Sequence, residues 1–496
     1  MVRGTHNTPR APQMDAQEIS AGRQPSRRQV LLAGAATGLA AAASPLEHAY
    51  AAWNATLPRS LQGTITFTAY LYMSGAANVA SGKQPGIVYG RYLKQHPGVK
   101  LVMAPEPSGD NAAWNAWFLP RAISNRLPDL LQPGVSCWPF IQRGFMTAIT
   151  KYLYEPNPYI PGNRRWIDSV PKGFLNPFIG LDGQYYGFCA DTAALWFYYN
   201  SEHLDRVGLK PPQTWAELMA ACRALQAKGV TPFSMGPGAA FLLSWLFLFA
   251  ESSLWASEFP KDTSLDVAGW VRALKKGLLK KTDDRTRTAW KLIKEFYGYW
   301  AKGTLGIAQA SPQLYHDFSV GKFTFLFDGS WEIGNLTALT NGRFPVTVLP
   351  LGIPPMTRET SRYATGALEA NGAPALNGIN LWTTQHARDH LDLVVDFLRY
   401  YSSPQAIGPM ATEVGEIPMV SGIGTLPPLL QKGKDIAYQP GLLMTPYFSA
   451  DAAYTTKYDQ MAKGYLAGAI SLDAALSTLE DAQQVVAARL APLMHA

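Results

Sequence analysis

At 496 residues the chain is too long for one compact core and suits two lobes of about 150 to 250 residues each. Its 47% hydrophobic and 16% charged residues form a globular balance that excludes extended disorder beyond the ends. The formal net charge is +7, of which a leader with five basic and three acidic residues carries two; the remaining +5 is scattered rather than massed in a stripe, which excludes nucleic acid as a partner.

The leader comes first. Arg27 and Arg28 stand directly before an apolar, Ala-rich stretch that runs to about Ala43, and Ala49 and Ala51 form a small-residue cleavage site. Residues 1–51 therefore read as a twin-arginine export signal that contributes nothing to the fold. The apolar run is too short to span a bilayer. With Cys137 the first cysteine, no thiol near the cleavage site can carry a lipid, so the mature chain is expected to be soluble outside the cytoplasm. A twin-arginine substrate folds before export, in a reducing compartment, and Cys137, Cys189 and Cys222 form no CxxC, so buried thiols are expected rather than a disulfide.

Next comes an alternation of elements. Ile65, Phe67 and Ala69 alternate as a strand over 64–69; 87–95 is a helix stopped by Pro97 and Gly98; 99–103 is a strand, 111–125 a helix and 129–135 a strand. This pattern predicts an α/β fold, a parallel sheet with helices on both faces. Ligands on such sheets bind beyond the carboxyl ends of the strands, which points to 70–75, 108–111 and 132–138. Thr214 and Glu217 form a capping box for a helix whose apolar face is Trp215, Leu218, Met219, Cys222 and Leu225, ended by Gly229. Residues 239–250 are almost wholly apolar but too few to span a membrane, so they form a buried helix. The basic run 272–287 also holds Asp283 and Asp284 and reads as a solvated helix. In the run FTFLFDGSWEIGNL, Phe323, Phe325 and Phe327 alternate as a buried strand and Gly329 lets the backbone turn into a helix that begins near Trp331. Leu391, Val394, Val395 and Leu398 mark another amphipathic helix, closed by Pro404.

The devices of familiar enzymes are missing. No GxSxG, no GxGxxG after a strand and no GxxxxGK[ST] occurs. His386 and His390 have the i, i+4 spacing of zinc ligands, but Ala387, Arg388 and Asp389 between them supply no general-base Glu, so they read as a solvated helix start. No metal or cofactor is expected.

Seven segments in order, 92–102, 127–153, 199–215, 228–232, 321–331, 378–422 and 468–483, together resemble an extracellular solute-binding protein of an ABC importer, in the group that includes the maltose- and oligosaccharide-binding proteins. The resemblance implies two lobes joined by three crossings near 189–193, 349–354 and 412–416. Lobe one is then 56–190 with 352–413, and lobe two 191–351 with 414–496. A monomer is implied that closes on a small-molecule solute, a sugar or oligosaccharide, and presents the closed shape to the ABC permease subunits without doing chemistry. In sugar-binding relatives an aromatic matching Trp331 lies under a pyranose ring, whose C–H face is apolar. Trp331 and Gly329 are therefore expected in the cleft. Asp191, at the first crossing, is expected either to accept sugar hydroxyls or to cap an element. Trp138 and Tyr72 stand at the cleft edge of lobe one or in its core, and Asp110 and Asn111 bind hydroxyls or cap the helix behind them. Glu369 and Asn371 lie in a Gly-rich stretch after the second crossing. Two alternatives stay open: a secreted glycoside-acting enzyme, which needs two carboxylates converging in the cleft, and a receptor for a polyamine, ferric ion or sugar phosphate.

Overall fold

The structure, a computed structural model, describes residues 17–18, 61–68, 83–105, 111–132, 137–236, 241–260, 265–307, 311–365, 376–377, 380–437 and 450–494. In chain order the strands are β1 (Gln17–Glu18), β2 (Gln62–Phe67), β3 (Gly98–Met103), β4 (Leu130–Leu131), β5 (Gly187–Cys189) and β6 (Asp191–Ala193). They continue with β7 (Leu195–Tyr199), β8 (Thr231–Met235), β9 (Phe323–Gly329), β10 (Leu376–Asn377), β11 (Asn380–Thr383) and β12 (Ile417–Pro418). They form three sheets, ordered β1-β3-β2-β4-β11-β5, β10-β6-β12 and β7-β9-β8.

The first sheet starts as the expected βαβ unit. β2 and β3 run parallel from Gln62↔Gly98 to Phe67↔Met103, joined through the helix Lys83–Gln95, and β4 adds a parallel neighbour. β11 and β5 then pair antiparallel, so the sheet is mixed rather than wholly parallel. Its core sets Phe67 edge-on to Tyr89 at 5.2 Å and against Phe397 at 5.4 Å, from the helix Leu391–Tyr401. That helix buries Val394, Val395 and Leu398 as its spacing predicts, while Pro404 opens a further helix, Pro404–Val414, instead of closing the unit. Of the strand expected over 129–135, Leu130–Leu131 is strand and 133–135 lie outside the described residues; before it the Asp129 carboxylate takes the Thr66 N–H (2.7 Å) and the Thr66 hydroxyl (2.8 Å). At the other edge Gln17 and Glu18 pair with Met103 and Val102, so two leader residues do join the sheet.

The third sheet is covered on both faces. Every residue of β7 and β9 is buried, so Thr324, Leu326 and Asp328 are as enclosed as the three phenylalanines between them. The helix Trp215–Ala227 carries the full capping box: the Thr214 hydroxyl accepts from the Glu217 N–H, and the Glu217 carboxylate accepts from the Gln213 and Thr214 N–H groups. All five predicted apolar positions on it are buried. The apolar helix runs Phe241–Trp255, longer than expected, because its polar turn is satisfied internally. Glu251 there accepts from Lys281, from the Trp290 indole (2.8 Å) and from the Tyr458 hydroxyl (2.7 Å). Among the described residues no helix is long and apolar enough to cross a membrane. Cys137, Cys189 and Cys222 are free and buried, as their placement predicts.

The small middle sheet lies where the chain passes between the other two. β6 follows β5 and precedes β7; β10 pairs with β6 through Leu376↔Ala193, and β12 through Ile417↔Thr192 and Pro418↔Asp191. The second passage is expected at 349–354. Residues 347–355 stay with the third sheet, where Leu349 donates to the Phe197 carbonyl (3.0 Å), Phe197 to that of Gly352 (3.1 Å) and Trp215 to that of Pro355 (2.9 Å). An open edge of β7 would leave buried amides unpaired, and this stretch pairs them.

Candidate functional site

β9 is an apolar strand until its last two residues. Asp328 ends the run FTFLF, Gly329 follows, and a tight turn Ser330–Glu332 leads into the helix Ile333–Thr340. Gly329 has φ −94°, ordinary extended backbone, so the turn does not require glycine for its conformation. It requires glycine for space: a Cβ there would stand 2.3–2.4 Å from three atoms of the Trp331 six-membered ring. The indole therefore lies directly on the Gly329 Cα, partly exposed.

Asp328 lies at the same turn. Its carboxyl group accepts from the Gly329 N–H (2.8 Å) and from the Tyr315 hydroxyl (3.0 Å). The Glu332 carboxyl, one turn on, takes the Asn335 amide at 2.7 Å. Both acids are buried. Burial first, and then the charge of Glu332, push Asp328 up to about 8, while burial raises Glu332.

The middle sheet brings a second acid pair to the same place. The Ser330 N–H donates to the Ala194 carbonyl at 2.8 Å, and Gly415, just before β12, packs on the far side. At Gly415 glycine is needed twice: φ is +79°, and a Cβ would stand 2.5 Å from the Ser330 carbonyl oxygen and 3.1 Å from the Trp331 Cα. The next residue, Glu416, is buried, and by the β6–β12 register it stands diagonal to Asp191 on one face. Burial, then the Asp191 charge, raise Glu416 well above the carboxylate range. Cys189 donates to the Asp191 carbonyl at 2.9 Å. No cationic side chain is among the groups that act on Asp328, Glu332 or Glu416.

The predicted site residues separate into three groups. Trp331 and Gly329 meet beside the middle sheet, and Asp191 lies beneath it, fully buried rather than open to solvent. Trp138, expected at a cleft edge or in the core, is a core side chain whose indole N–H donates to the Ile179 carbonyl at 2.8 Å. Asn111 opens the helix Asn111–Ile123. Tyr72, Asp110, Glu369 and Asn371 lie outside the described residues, as do most of 70–75 and 108–111. His390 is not merely solvated, since its ring stands 2.9 Å from the buried Asp129 carboxylate. No group of three or more metal-ligating side chains occurs among the described residues.

Sequence reasoning missed Asp328, Glu332, Tyr315, Gly415 and Glu416. The one signal for them was Asp328 itself, a carboxylate inside an otherwise apolar buried strand. Two cavities lie elsewhere: one of about 450 Å³ reaches Thr231 and Phe323, and one of about 610 Å³ reaches Gln62. Both stand at the starting ends of strands, opposite Trp331.

Comparison with known proteins gives a consistent pattern. A family model described as bacterial extracellular solute-binding protein matches residues 90–437. No curated protein matches. Among solved structures, one from work on xylan utilization by the thermophilic bacterium Caldanaerobius polysaccharolyticus has a TM-score of 0.63 at 17% identity, covering 84% of this chain and 99% of its own. A chitin oligosaccharide binding protein has 0.62 at 18%, covering 86% and 99%. The apo form of RafE from Streptococcus pneumoniae has 0.62 at 15%, covering 86% and 98%. Likeness at such identities shows a shared fold.

Proposed function

The chain belongs to the bacterial extracellular solute-binding protein family, and from that premise we propose that it captures a sugar or oligosaccharide between its two sheet-bearing lobes and delivers it to an ABC permease. In this reading lobe one is the unit of the first sheet and lobe two that of the third. The middle sheet is the hinge, and a ligand that touches both lobes stabilises the closed form by that differential contact. The protein acts as a monomer and makes or breaks no bond of the solute.

One observation carries the choice of a carbohydrate: a partly exposed indole seated on a glycine at the carboxyl end of β9, beside Gly415 of the hinge. An aromatic face there suits the apolar face of a pyranose. The neighbours' printed descriptions, chitin oligosaccharide for one and raffinose for a RafE complex, run in the same direction. Thermal shift against xylo-, chito- and raffinose-type saccharides tests the reading. Saturation at about 100 times Kd adds roughly 2.7 kcal/mol, and Trp331→Ala is expected to remove that gain while the unliganded protein keeps its melting temperature. A flat response to every saccharide class sinks the carbohydrate reading.

Export by the twin-arginine route, through Arg27 and Arg28, completes the proposal. Replacing both with Lys is expected to trap precursor in the cytoplasm, and unchanged export rejects the route.

A further inference from the structure

β7 and β9 run antiparallel, and their register from Tyr199↔Phe325 to Leu195↔Gly329 makes Ala194 and Ser330 the next pair. A hydrogen-bonded pair of an antiparallel ladder exchanges two main-chain bonds. The first is made, since the Ser330 N–H donates to the Ala194 carbonyl at 2.8 Å. The second is replaced. The Ala194 N–H donates at 3.3 Å to the Ser330 side-chain hydroxyl, and the Ser330 carbonyl accepts from the Ile333 N–H. The hydroxyl thus stands in for the carbonyl of its own residue. That exchange ends the ladder and begins the turn at one residue, with every main-chain group of this buried pair satisfied.

Ala194 is the single residue between β6 and β7, in the first passage between sheets. Gly415, in the third passage, lies so close that a Cβ there would stand 2.5 Å from the Ser330 carbonyl oxygen and 3.1 Å from the Trp331 Cα. Both passages therefore bear on the turn that carries Trp331. We propose that Ser330 is a positioning residue for the solute contact: its hydroxyl bond to Ala194 leaves the Ser330 carbonyl to close the turn, and so sets where the Trp331 ring lies against the two passages. The inference rests on Trp331 as the solute contact. Without the hydroxyl the Ala194 N–H is stranded in the interior, and the ladder's own acceptor for it is the Ser330 carbonyl. Taking that carbonyl pulls it from Ile333, and the ring shifts.

The test uses the full chain and two readouts for each variant. The first needs no solute: the emission difference between a protein and the same protein carrying Trp331→Phe isolates one indole among the tryptophans. Ser330→Ala is expected to shift that difference spectrum, and Ser330→Thr, which keeps a hydroxyl, to restore it. The second readout is the affinity for whichever of the xylo-, chito- or raffinose-type saccharides binds. Ser330→Ala is expected to weaken its Trp331-dependent part about tenfold, and Ser330→Thr to recover it. A merely structural Ser330 lowers the melting temperature and leaves both readouts at their wild-type values, and that result overturns the proposal. Gly415→Ala presses on the same carbonyl from the other side and is expected to move both readouts. Gly468→Ala meets the same left-handed backbone, φ +77° against +79°, with open space around it, and is expected to move neither. If the Ser330 variants do not fold, this glycine pair decides, and equal effects or none overturn the proposal. Binding that needs Trp331 yet ignores Ser330 and Gly415 overturns the positioning role and leaves the carbohydrate reading standing. Binding that ignores Trp331, or no binding, overturns the contact on which the proposal rests.

Discussion

Two acid pairs flank one backbone contact, and they solve the same problem differently. Asp328 and Glu332, at the end of β9, are met by donors: a main-chain N–H and a phenol on the first, an amide on the second. Glu416, at the hinge, has one carboxyl oxygen with no hydrogen-bond partner and stands diagonal to Asp191. Both pairs are equally dry, so burial alone does not distinguish them. The first pair is held by satisfied hydrogen bonds, whereas burial and the Asp191 charge raise Glu416 well above the carboxylate range. A buried acid is therefore held in place where its acceptor sites are filled.

The sharpest way to break this comparison is to delete the satisfied acid. Asp328→Ala strands the Gly329 N–H and the Tyr315 hydroxyl and is expected to lower stability by about 2 to 4 kcal/mol, read from thermal unfolding followed by circular dichroism. Gly415→Ala comes next, at about 2 kcal/mol, because it combines a left-handed backbone with a contact against the Ser330 carbonyl. An unchanged melting temperature there rejects the packing of the hinge on β9.

The pH dependence separates the pairs further. Asp328 is raised in the folded chain, so its contribution is fully present below the unfolded value of 3.8 and is lost as the pH rises through about 8. The wild-type melting temperature is expected to decline across that window, and Asp328→Asn to flatten the decline. Glu416 is raised in the same sense, yet Glu416→Gln removes a charge without removing a needed acceptor. It is expected to increase the melting temperature at pH 8 and above; a decrease means that an acceptor role has been missed. The smallest effect is at the surface of the site: Trp331→Phe is expected to leave stability within about 0.5 kcal/mol and to weaken the saccharide response, which Trp331→Ala removes.

The helix Trp215–Ala227 was legible because every signal for it is local: a capping box, a 3.6-residue apolar period and a terminal glycine. The βαβ start was legible for the same reason. Trp331 was reached through the neighbouring motif, but the reason given for Gly329 was not the operative one, since its backbone is unstrained and the constraint comes from a ring two residues on. The pairing of 347–355 was not legible because that stretch carries no local mark of its partner; the partner is β7, about 150 residues earlier in the chain.

What the amino-acid order determined by itself was the elements, the family and one aromatic candidate, each written in short-range periodicity or in the succession of motifs. Tertiary structure alone decided that Trp138 is core and Trp331 is not, that Gly415 touches Ser330, and that the Tyr315 hydroxyl meets Asp328. Such contacts depend on distance and burial. Those quantities arise only once β7, β9, the middle sheet and the helix Pro312–Ser319 converge.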